Sequence, residues 1–246
     1  MNRISRRSLL AGGVTAAVAA VGSAVTIAGR RFGLVPPDAG GIFAAGNTLN
    51  YAAHRLFGRN ALAREFPRSM IAEKPFANTI APPSEAFARH QAEHFANWTL
   101  DVRGSVDTPR PLSVHALRGM AVRSQITAVT CEEGWSYVAE WTGTPLSAVL
   151  QACGVRPSAR YVVYFAADGW MDSIDIDEAM HPQTLVTWGM NGGDLPVAFG
   201  GPLRMRVPRQ LGYKSVKFIE RLLVTDTVAD LKISTGVRNY AWYSGI

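Results

Sequence analysis

The sequence predicts an α+β fold, in which short helices are interspersed among the strands of a β-rich domain. Stretches of β-branched and apolar residues in rough alternation recur at short intervals, which is typical of strands. Gly, Pro and Asn-Gly pairs separate these stretches and mark turns. The chain has 246 residues, of which 48% are hydrophobic, enough to bury a sizeable core. We expect this domain over residues 97–228, after a linker and packing helices (residues 32–96) and before a C-terminal tail (residues 229–246).

Residues 1–31 have the features of an export signal. Ser5-Arg6-Arg7-Ser8 is a twin-arginine pattern, and an uncharged run from Leu9 to Gly29 follows it. At about 21 residues this run is long enough to span a bilayer. Its Ala and Gly content favours a cleaved signal, with a retained membrane anchor as the alternative. We therefore expect a periplasmic protein.

Most of the net positive charge belongs to this segment. The formal charge of the whole chain is +6, and residues 1–31 contain five arginines and no acidic residue. The remainder has 20 basic and 19 acidic residues. A charge of this size gives no support to nucleic-acid binding.

Helical spacing predicts a first helix from Phe43 to Arg59. Polar side chains cluster on its adjoining positions: Asn47, Asn50, Tyr51, His54 and Arg55. This cluster is either a solvated helix face or one wall of a polar cofactor pocket. Irregular chain is expected over residues 60–83, which include four prolines.

A second helix is expected from Ser84, a favourable N-cap residue, to Ala96. It contains His90-Gln-Ala-Glu93-His94, which matches the pattern H-x-x-E-H. Two histidines on one helix face can bind zinc, with the glutamate as a base. Three fixed positions match often by chance, and no acidic partner is evident downstream. A solvated helix face is the favoured interpretation, and a zinc hydrolase is an alternative.

Further strands and short helices are expected from Trp98 onward. The predicted short helices are Leu112–Leu117 and a turn of helix that Asp177 caps and that ends at Met180. The predicted strands are Trp98–Arg103, Gln125–Thr130, Tyr161–Phe165, Asp172–Ile176, Thr184–Trp188, Leu203–Val207 and one within Ser215–Thr225.

Cys131 would lie at the exit of the Gln125–Thr130 strand. A thiol at a strand exit beside a loop is well placed to be a metal ligand or a nucleophile. A lone cysteine is otherwise a small buried apolar residue. The other cysteine, Cys153, falls on the apolar face of a predicted helix that Gly154 ends, so we expect it in the core. In an oxidising compartment, a Cys131–Cys153 disulfide is the alternative.

Several segments, in order, resemble the molybdopterin domain of the sulfite oxidase family. They are Cys131-Glu-Glu-Gly134-Trp135, Trp141-Thr-Gly143-Thr-Pro145-Leu146, Asp168-Gly169-Trp170, His181-Pro-Gln-Thr184-Leu185 with Gly189-Met-Asn191-Gly192, and Gly201-Pro-Leu-Arg204-x-x-Val207-Pro208 followed by Leu211-Gly-Tyr-Lys214-Ser-Val-Lys217. The likeness is greatest to the exported bacterial branch, which includes methionine-sulfoxide reductase catalytic subunits. It covers about half the chain.

This resemblance implies a sulfite-oxidase-type fold and an oxidoreductase whose cofactor is molybdenum-molybdopterin. It makes Cys131 the thiolate ligand of molybdenum, a pairing that suits a soft, redox-active metal. It also implies a basic loop that holds the cofactor's phosphate, formed by Arg204, Lys214, Ser215, Val216 and Lys217. On the first helix it implies early cofactor contacts from Asn47 and Tyr51, with His54 and Arg55 as substitutes.

The sequence also departs from the family pattern. Phe199 stands where the family usually has His or Asn, and Ala166 stands where the reductase branch has a hydroxyl. A cofactor-free, non-enzymatic descendant of the fold is therefore an alternative. Glu132 and Glu133 disfavour a dianion such as sulfite. A small sulfoxide-type or sulfite-type substrate and a two-electron or oxygen-atom transfer remain expected.

Other expectations concern partners and the surroundings of the site. The chain has no C-x-x-C-H haem motif, so a haem-containing electron-transfer partner is expected. It is too short for the family's additional dimerisation domain, which favours a monomer. Trp135, Tyr137 and Trp141 either line the substrate entrance or pack in the core.

Overall fold

The computed structural model describes residues 29, 33–39, 44–78, 84–229 and 240–245. The chain divides into two compact units, residues 1–60 and 61–246. The first unit contains helix α1 (Ala44–Phe57), in agreement with the predicted helix. Apart from Gly29, the predicted export signal lies outside the described residues. Among the described residues, no helix has both the length and the apolar character that crossing a membrane requires.

The second unit contains ten strands among its described residues. They are β1 (Thr99–Gly104), β2 (Arg110–Ser113), β3 (Arg123–Thr130), β4 (Ser136–Pro145), β5 (Tyr161–Ala166), β6 (Met171–Asp175), β7 (Leu185–Met190), β8 (Gly193–Asp194), β9 (Arg204–Arg206) and β10 (Ile219–Thr225). One five-stranded sheet has the order β2-β1-β10-β5-β6, in which β1 and β10 are parallel. The other has the order β3-β4-β7-β8, and β9 also pairs with β7.

Short helices lie between these strands, as the α+β prediction requires. The α-helices are α2 (Glu85–Ala92), α3 (Val114–Arg118), α4 (Leu146–Ala152) and α5 (Ile176–Ala179). Single 3-10 turns occupy Arg68–Met70, Val197–Phe199 and Gly212–Lys214. The predicted fold class is confirmed.

The main core packs the apolar faces of β1, β5 and β10 against α2 and α4. A smaller core cluster belongs to the second sheet and is centred on Trp141, which is fully buried on β4. Trp141 is therefore a core residue rather than part of an entrance. Cys153 also lies in the main core, at the C-cap of α4, as predicted. Both cysteines are free, so the alternative disulfide is not formed.

Some predicted local structure is wrong. Leu112 belongs to strand β2, and the helix begins only after Ser113, whose hydroxyl accepts a hydrogen bond from the Ala116 N–H and caps α3. Asp175, rather than Asp177, caps the helix α5 by accepting from the Glu178 N–H. Side-chain caps fix both helix starts, and sequence spacing alone placed them two residues away.

The H-x-x-E-H motif does not form one helix face. Helix α2 ends at Ala92, Glu93 is its C-cap, and His94 has a left-handed backbone with φ of 51°. The two histidines line different cavities, and the His90 ring packs edge-on against Trp98 with centroids 5.4 Å apart. Within the described residues, no cluster of His, Cys, Asp and Glu could hold a metal. The zinc hydrolase alternative is therefore not supported.

Candidate functional site

A pocket with a volume of about 190 Å³ lies at the exit of β3 in the second unit. Its lining combines one thiol, three acidic side chains, two of which belong to the turn after β3, aromatic rings and a basic loop. The lining residues include Cys131, Glu132, Glu133, Trp135, Tyr137, Asp168, Phe199, Arg204, Tyr213, Ser215, Val216, Lys217 and Tyr240.

Cys131 follows the last residue of β3 directly, as the sequence predicted. A tight turn holds it there, because the Gly134 N–H donates to its carbonyl oxygen (3.1 Å) and its own N–H donates to the Trp135 carbonyl oxygen (2.9 Å). Gly134 has φ of +90°, a backbone conformation that favours glycine. The antiparallel pair of β3 and β4 continues up to Thr130 and Ser136 on both sides of this turn. The thiol therefore stands on a rigid hairpin.

The protein disfavours a free thiolate at this position. Burial, and after it the Glu132 carboxylate, raises the pKa of the Cys131 thiol from 9.0 to about 11. The Sγ atom donates to Glu132 Oε2 at 3.4 Å. Glu133 accepts a hydrogen bond from the Trp135 ring N–H at 2.8 Å, which orients its carboxylate beside the turn. Without a bound cation, Cys131 is a neutral thiol at neutral pH.

Arg204 lines the same pocket from strand β9. Its Nε donates to the Ser215 carbonyl oxygen (2.9 Å), and its Nη1 donates to the Phe199 carbonyl oxygen (3.0 Å). Burial lowers the pKa of Arg204, whereas Tyr137 and Cys131 act on it in the opposite direction. The guanidinium is thus electrostatically linked to the thiol across the pocket.

Arg206 was missed by the sequence prediction, although it lies on the same strand. It is 1% exposed, and its guanidinium donates to Ser215 Oγ (3.3 Å), to Thr127 Oγ1 (3.0 Å) and to the Ala128 carbonyl oxygen. Burial, followed by the charge of Arg204, lowers its pKa to about 9. The apolar-basic alternation of β9 was the available signal, since residues two apart on a strand share a face.

The two arginines form a buried centre of positive charge. Both guanidinium groups lie over the ring of Trp141, at 5.3 and 5.4 Å from its centroid. Among the described residues, no carboxylate forms an ion pair with either of them, and their hydrogen-bond acceptors are neutral. Buried charges without an opposite charge are costly. This centre is therefore suited to an anionic ligand.

Three more residues of the predicted basic loop line the pocket. Ser215 positions Arg204 and Arg206 through its carbonyl and hydroxyl oxygens, and the Val216 carbonyl oxygen accepts from the Met205 N–H. Lys217 Nζ donates to the Ala198 carbonyl oxygen (2.8 Å) and to Asn78 Oδ1 (2.9 Å). Burial, and then Arg204, lowers the pKa of Lys217 to about 7. A bound anion would favour its charged form.

Lys214 does not line the pocket. Its ammonium group forms a buried ion pair with Asp172 at 2.5 Å and donates to the Ser173 carbonyl oxygen at 2.9 Å. The side chains of Lys214 and Asp172 are 1% and 3% exposed. The structure therefore gives the Lys214 ammonium group a buried ion pair with Asp172, where the family resemblance implied a contact with the cofactor's phosphate.

Phe199 and Ala166, the two departures from the family pattern, have different positions. The Phe199 ring lines the pocket and meets Tyr137 edge-on at 5.9 Å. Its carbonyl oxygen accepts a hydrogen bond from Arg204 Nη1 and so helps to position that guanidinium group. Ala166 ends β5 and is not among the pocket-lining residues.

The predicted contacts on the first helix stay predictions. Asn47, Tyr51 and His54 all lie on α1, in the first unit. Within that helix, the Arg55 guanidinium lies over the Tyr51 ring, 5.3 Å from its centroid.

This donor set fits a molybdopterin cofactor. A single soft thiol lines the pocket, and a soft thiolate is a suitable ligand for a redox-active metal. Arg204 and Lys217 line the pocket and can satisfy anionic groups such as a phosphate, while Arg206 adds positive charge behind Arg204. Among the described residues, neither arginine forms an ion pair, so an anionic group bound beside them would be stabilised.

Comparison with known proteins gives the same assignment. The family model described as "Oxidoreductase molybdopterin binding domain" matches residues 87–232. A putative protein-methionine-sulfoxide reductase subunit YedZ1 from Azospira oryzae is 35% identical over 172 residues, covering 70% of this chain and 64% of that protein. The catalytic subunit MsrP of a protein-methionine-sulfoxide reductase from Xanthomonas axonopodis pv. citri is 38% identical over 138 residues, covering 50% of this chain and 43% of that protein.

A solved structure supports the fold. Sulfane dehydrogenase SoxCD from Paracoccus pantotrophus is similar with a TM-score of 0.52 and 22% identity, over 54% of this chain and 39% of that chain. The present chain spans less than two thirds of the length of each of these relatives. The matched family region contains every pocket residue from Cys131 to Lys217. The chain belongs to the family of oxidoreductases with a molybdopterin-binding domain, and its cofactor is molybdenum-molybdopterin.

Proposed function

We propose that this chain is the catalytic part of an exported, molybdenum-dependent sulfoxide reductase whose molybdenum ligand is Cys131. The single observation that carries the proposal is the Cys131 thiol in a pocket that also contains the buried guanidinium of Arg204, with which no described carboxylate forms an ion pair. The names of two relatives, both referring to methionine-sulfoxide reductase, support a sulfoxide as the substrate.

The reaction converts a sulfoxide to a thioether. Two electrons and two protons are consumed, the S–O bond breaks, and the oxygen leaves as water. When bound, the cofactor supplies two-electron redox chemistry and oxygen-atom transfer. The protein supplies a ligand for the metal, electrostatic stabilisation and access for the substrate.

Cys131 would hold the metal as a thiolate. Its free thiol has a pKa of about 11, because the pocket is buried and Glu132 is close. Binding of a cation to the sulfur must therefore release the thiol proton, as is usual for cysteine ligands. The rigid hairpin around Gly134 would fix the sulfur for this role.

Arg204 and Lys217, which line the pocket, would bind the anionic groups of the cofactor, and Arg206 would add positive charge behind Arg204. Arg204 reaches the pocket surface, while Ser215 Oγ and the Ala128 carbonyl oxygen hold Arg206 beneath it. Arginine suits this role because its planar donor fork matches phosphate oxygens. The predicted contacts of Asn47, Tyr51 and His54 are part of the same proposal.

The acidic turn favours a neutral substrate. Glu132 and Glu133 both line the pocket beside Cys131. Their charges would repel a dianion such as sulfite, whereas an uncharged sulfoxide has no such penalty. A sulfite-type reaction is the less favoured form of the proposal.

Export and partners belong to the proposal as well. The twin-arginine pattern at Arg6 and Arg7 supports a periplasmic location, with the segment either cleaved or retained as an anchor. A haem-containing protein would supply the electrons; the name of one relative, a catalytic subunit, supports a separate partner protein. We expect the chain to act as a monomer.

The decisive experiment compares Cys131→Ser with Cys153→Ala. Each protein is exported through its own signal in a host that makes the cofactor, and molybdenum is determined by elemental analysis. Turnover of the uncharged sulfoxide of N-acetylmethionine amide is then followed with a reduced viologen dye as the electron donor. Near-stoichiometric molybdenum and turnover are expected for the wild type and for Cys153→Ala, the buried-cysteine control. Cys131→Ser should lose turnover and the thiolate absorption of the metal; retained turnover in that variant contradicts the proposal.

A further inference from the structure

The C-terminal residues 240–245 are fixed to the second unit by hydrogen bonds around Tyr213. The Tyr213 hydroxyl donates to the Ala241 carbonyl oxygen at 2.5 Å and hydrogen-bonds Ser244 Oγ at 2.8 Å. The Leu211 N–H donates to the Ser244 carbonyl oxygen at 3.1 Å. Tyr213 and Leu211 belong to the segment that follows β9, close in sequence to the basic loop.

Trp242 provides an apolar anchor for the same segment. It is 2% exposed, and its ring N–H donates to Ser173 Oγ at 2.8 Å. The Lys214 ammonium group lies 5.2 Å from the centroid of its indole ring, and Tyr161 meets that ring edge-on at 5.9 Å. Buried aromatic residues with a satisfied N–H contribute strongly to docking. The segment is therefore part of the folded unit.

This anchoring brings Tyr240 into the pocket lining. Its ring stacks on that of Tyr213 with centroids 4.9 Å apart and an angle of 25° between the planes. Both rings line the pocket that contains Cys131. Residues 240–245 lie beyond the region 87–232 that the family model matches. Of the two stacked rings, Tyr213 therefore belongs to the region that the family model matches, and Tyr240 belongs to the C-terminal segment.

Three other aromatic residues also contribute their rings to the lining of the same pocket. Trp135 packs on Phe76 with centroids 5.0 Å apart and stacks on Tyr137 at 5.9 Å. All three line the pocket. Methyl-sulfur groups make favourable contacts with aromatic rings, at about 5 Å from the ring. An aromatic lining around a thiol and an arginine suits a molecule with a polar S–O group and apolar carbon arms.

We propose that Tyr240 is a substrate-positioning residue, which the C-terminal segment holds against Tyr213 so that the stacked pair binds the carbon arms of a sulfoxide. This inference rests on the proposed function, and it specifies the substrate as an uncharged sulfoxide with an extended arm. Tyr213 contributes its ring to the pocket and its hydroxyl to the anchor.

The test compares Tyr240→Ala and Tyr240→Phe in the molybdenum-loaded enzyme. Binding of the uncharged sulfoxide of N-acetylmethionine amide is measured by calorimetry without an electron donor, and KM and kcat are measured with reduced viologen. Loss of an aromatic contact to the substrate should weaken binding and raise KM by roughly two- to tenfold. The kcat should stay within about twofold, because the pocket chemistry around Cys131 is unchanged. Tyr240→Phe keeps the ring and should bind like the wild type.

Two further variants separate positioning from a general loss of structure. Phe165→Ala removes a half-buried ring that does not line the pocket, and it should leave binding unchanged. Tyr213→Phe removes the hydroxyl that holds residues 240–245 and keeps the ring in the pocket. It should weaken binding in the same direction as Tyr240→Ala and increase hydrogen exchange at Trp242 and Tyr243. Molybdenum content is determined for each variant, so that binding is compared at equal loading.

The outcomes distinguish this proposal from the proposed function. If the wild type binds the sulfoxide and Tyr240→Ala binds equally well, the role of Tyr240 is refuted. If the wild type binds the sulfoxide without turnover and Tyr240→Ala weakens binding, the positioning role stands and the proposed reaction is refuted. If the wild type does not bind the sulfoxide at all, both are refuted.

Discussion

The buried ion pair between Lys214 and Asp172 offers the sharpest test of how the site is built. The sequence suggested that Lys214 binds the cofactor, whereas the structure pairs its ammonium group with Asp172 at 2.5 Å. Both side chains are at most 3% exposed. Removing one partner of a buried pair costs roughly 3–5 kcal/mol, because the other charge remains buried and unpaired. Lys214→Met should therefore destabilise the protein strongly.

The magnitude can be stated as a shift in melting temperature. For a domain of this size, a loss of 1 kcal/mol lowers Tm by about 2–4 °C, so a loss of roughly 3–5 kcal/mol corresponds to about 6–20 °C. Thermal melting of the molybdenum-loaded enzyme measures this shift. The double variant Lys214→Met with Asp172→Asn should recover at least half of the loss, because no charge is then left unpaired. The amide introduced by Asp172→Asn would still be able to accept the hydrogen bond that the Ser173 N–H donates to Asp172 at 2.7 Å in the wild type.

The pH dependence of the single variant provides a second check. Burial raises the pKa of Asp172, and the favourable charge and hydrogen bond of Lys214 act against this effect. A carboxyl group whose folded pKa lies above its unfolded value contributes stability at low pH, and that contribution is lost as the pH rises through the folded pKa. The loss of stability that Lys214→Met causes should therefore become smaller as the pH is lowered, because a protonated Asp172 needs no cationic partner.

Molybdenum content decides between the structural and the cofactor-binding roles. If Lys214 is structural, the double variant should keep molybdenum in its folded fraction. Lys217→Met should show the opposite pattern, with a smaller effect on Tm and a loss of molybdenum, because Lys217 lines the pocket. A Tm loss of less than about 2 °C in Lys214→Met, or loss of molybdenum from the well-folded double variant, would refute this reasoning.

Two further predictions concern the turn that precedes β4 and a glycine within β4. Burial and the Glu132 charge raise the pKa of the Cys131 thiol to about 11. Glu132→Gln should therefore lower that pKa and speed alkylation of the thiol by iodoacetamide in protein made without molybdenum. An unchanged pH profile of alkylation would contradict this prediction. At Gly143, a Cβ atom would collide with the Val186 carbonyl oxygen and lie 2.7 Å from Thr187 Cα. Gly143→Ala should therefore destabilise the pairing of β4 and β7 by about 1–3 kcal/mol. A Tm equal to that of the wild type would show that the two strands can separate there at little cost.

The sequence alone was sufficient for the fold class, the family and the position of the thiol. Strand periodicity is a local property, so β3 and the exit at Cys131 could be predicted from alternating residues. Four of the five residues suggested for the basic loop line the pocket, because the loop from Ser215 to Lys217 is short and close in sequence to β9. Strand β4 was missed, although Tyr137, Ala139 and Trp141 alternate on its buried face.

Other features depend on contacts between residues far apart in sequence. Lys214 and Asp172 are 42 residues apart, and only the tertiary fold brings them together. Tyr240 enters the pocket because Trp242 and Tyr213 anchor the C-terminal segment. The H-x-x-E-H prediction failed for a local reason, because the helix ends at Ala92 and His94 has a left-handed backbone, so the helical spacing that the motif requires is not continued. Local periodicity thus determines which elements form, whereas burial and charge pairing in the folded chain decide which side chains can meet a ligand.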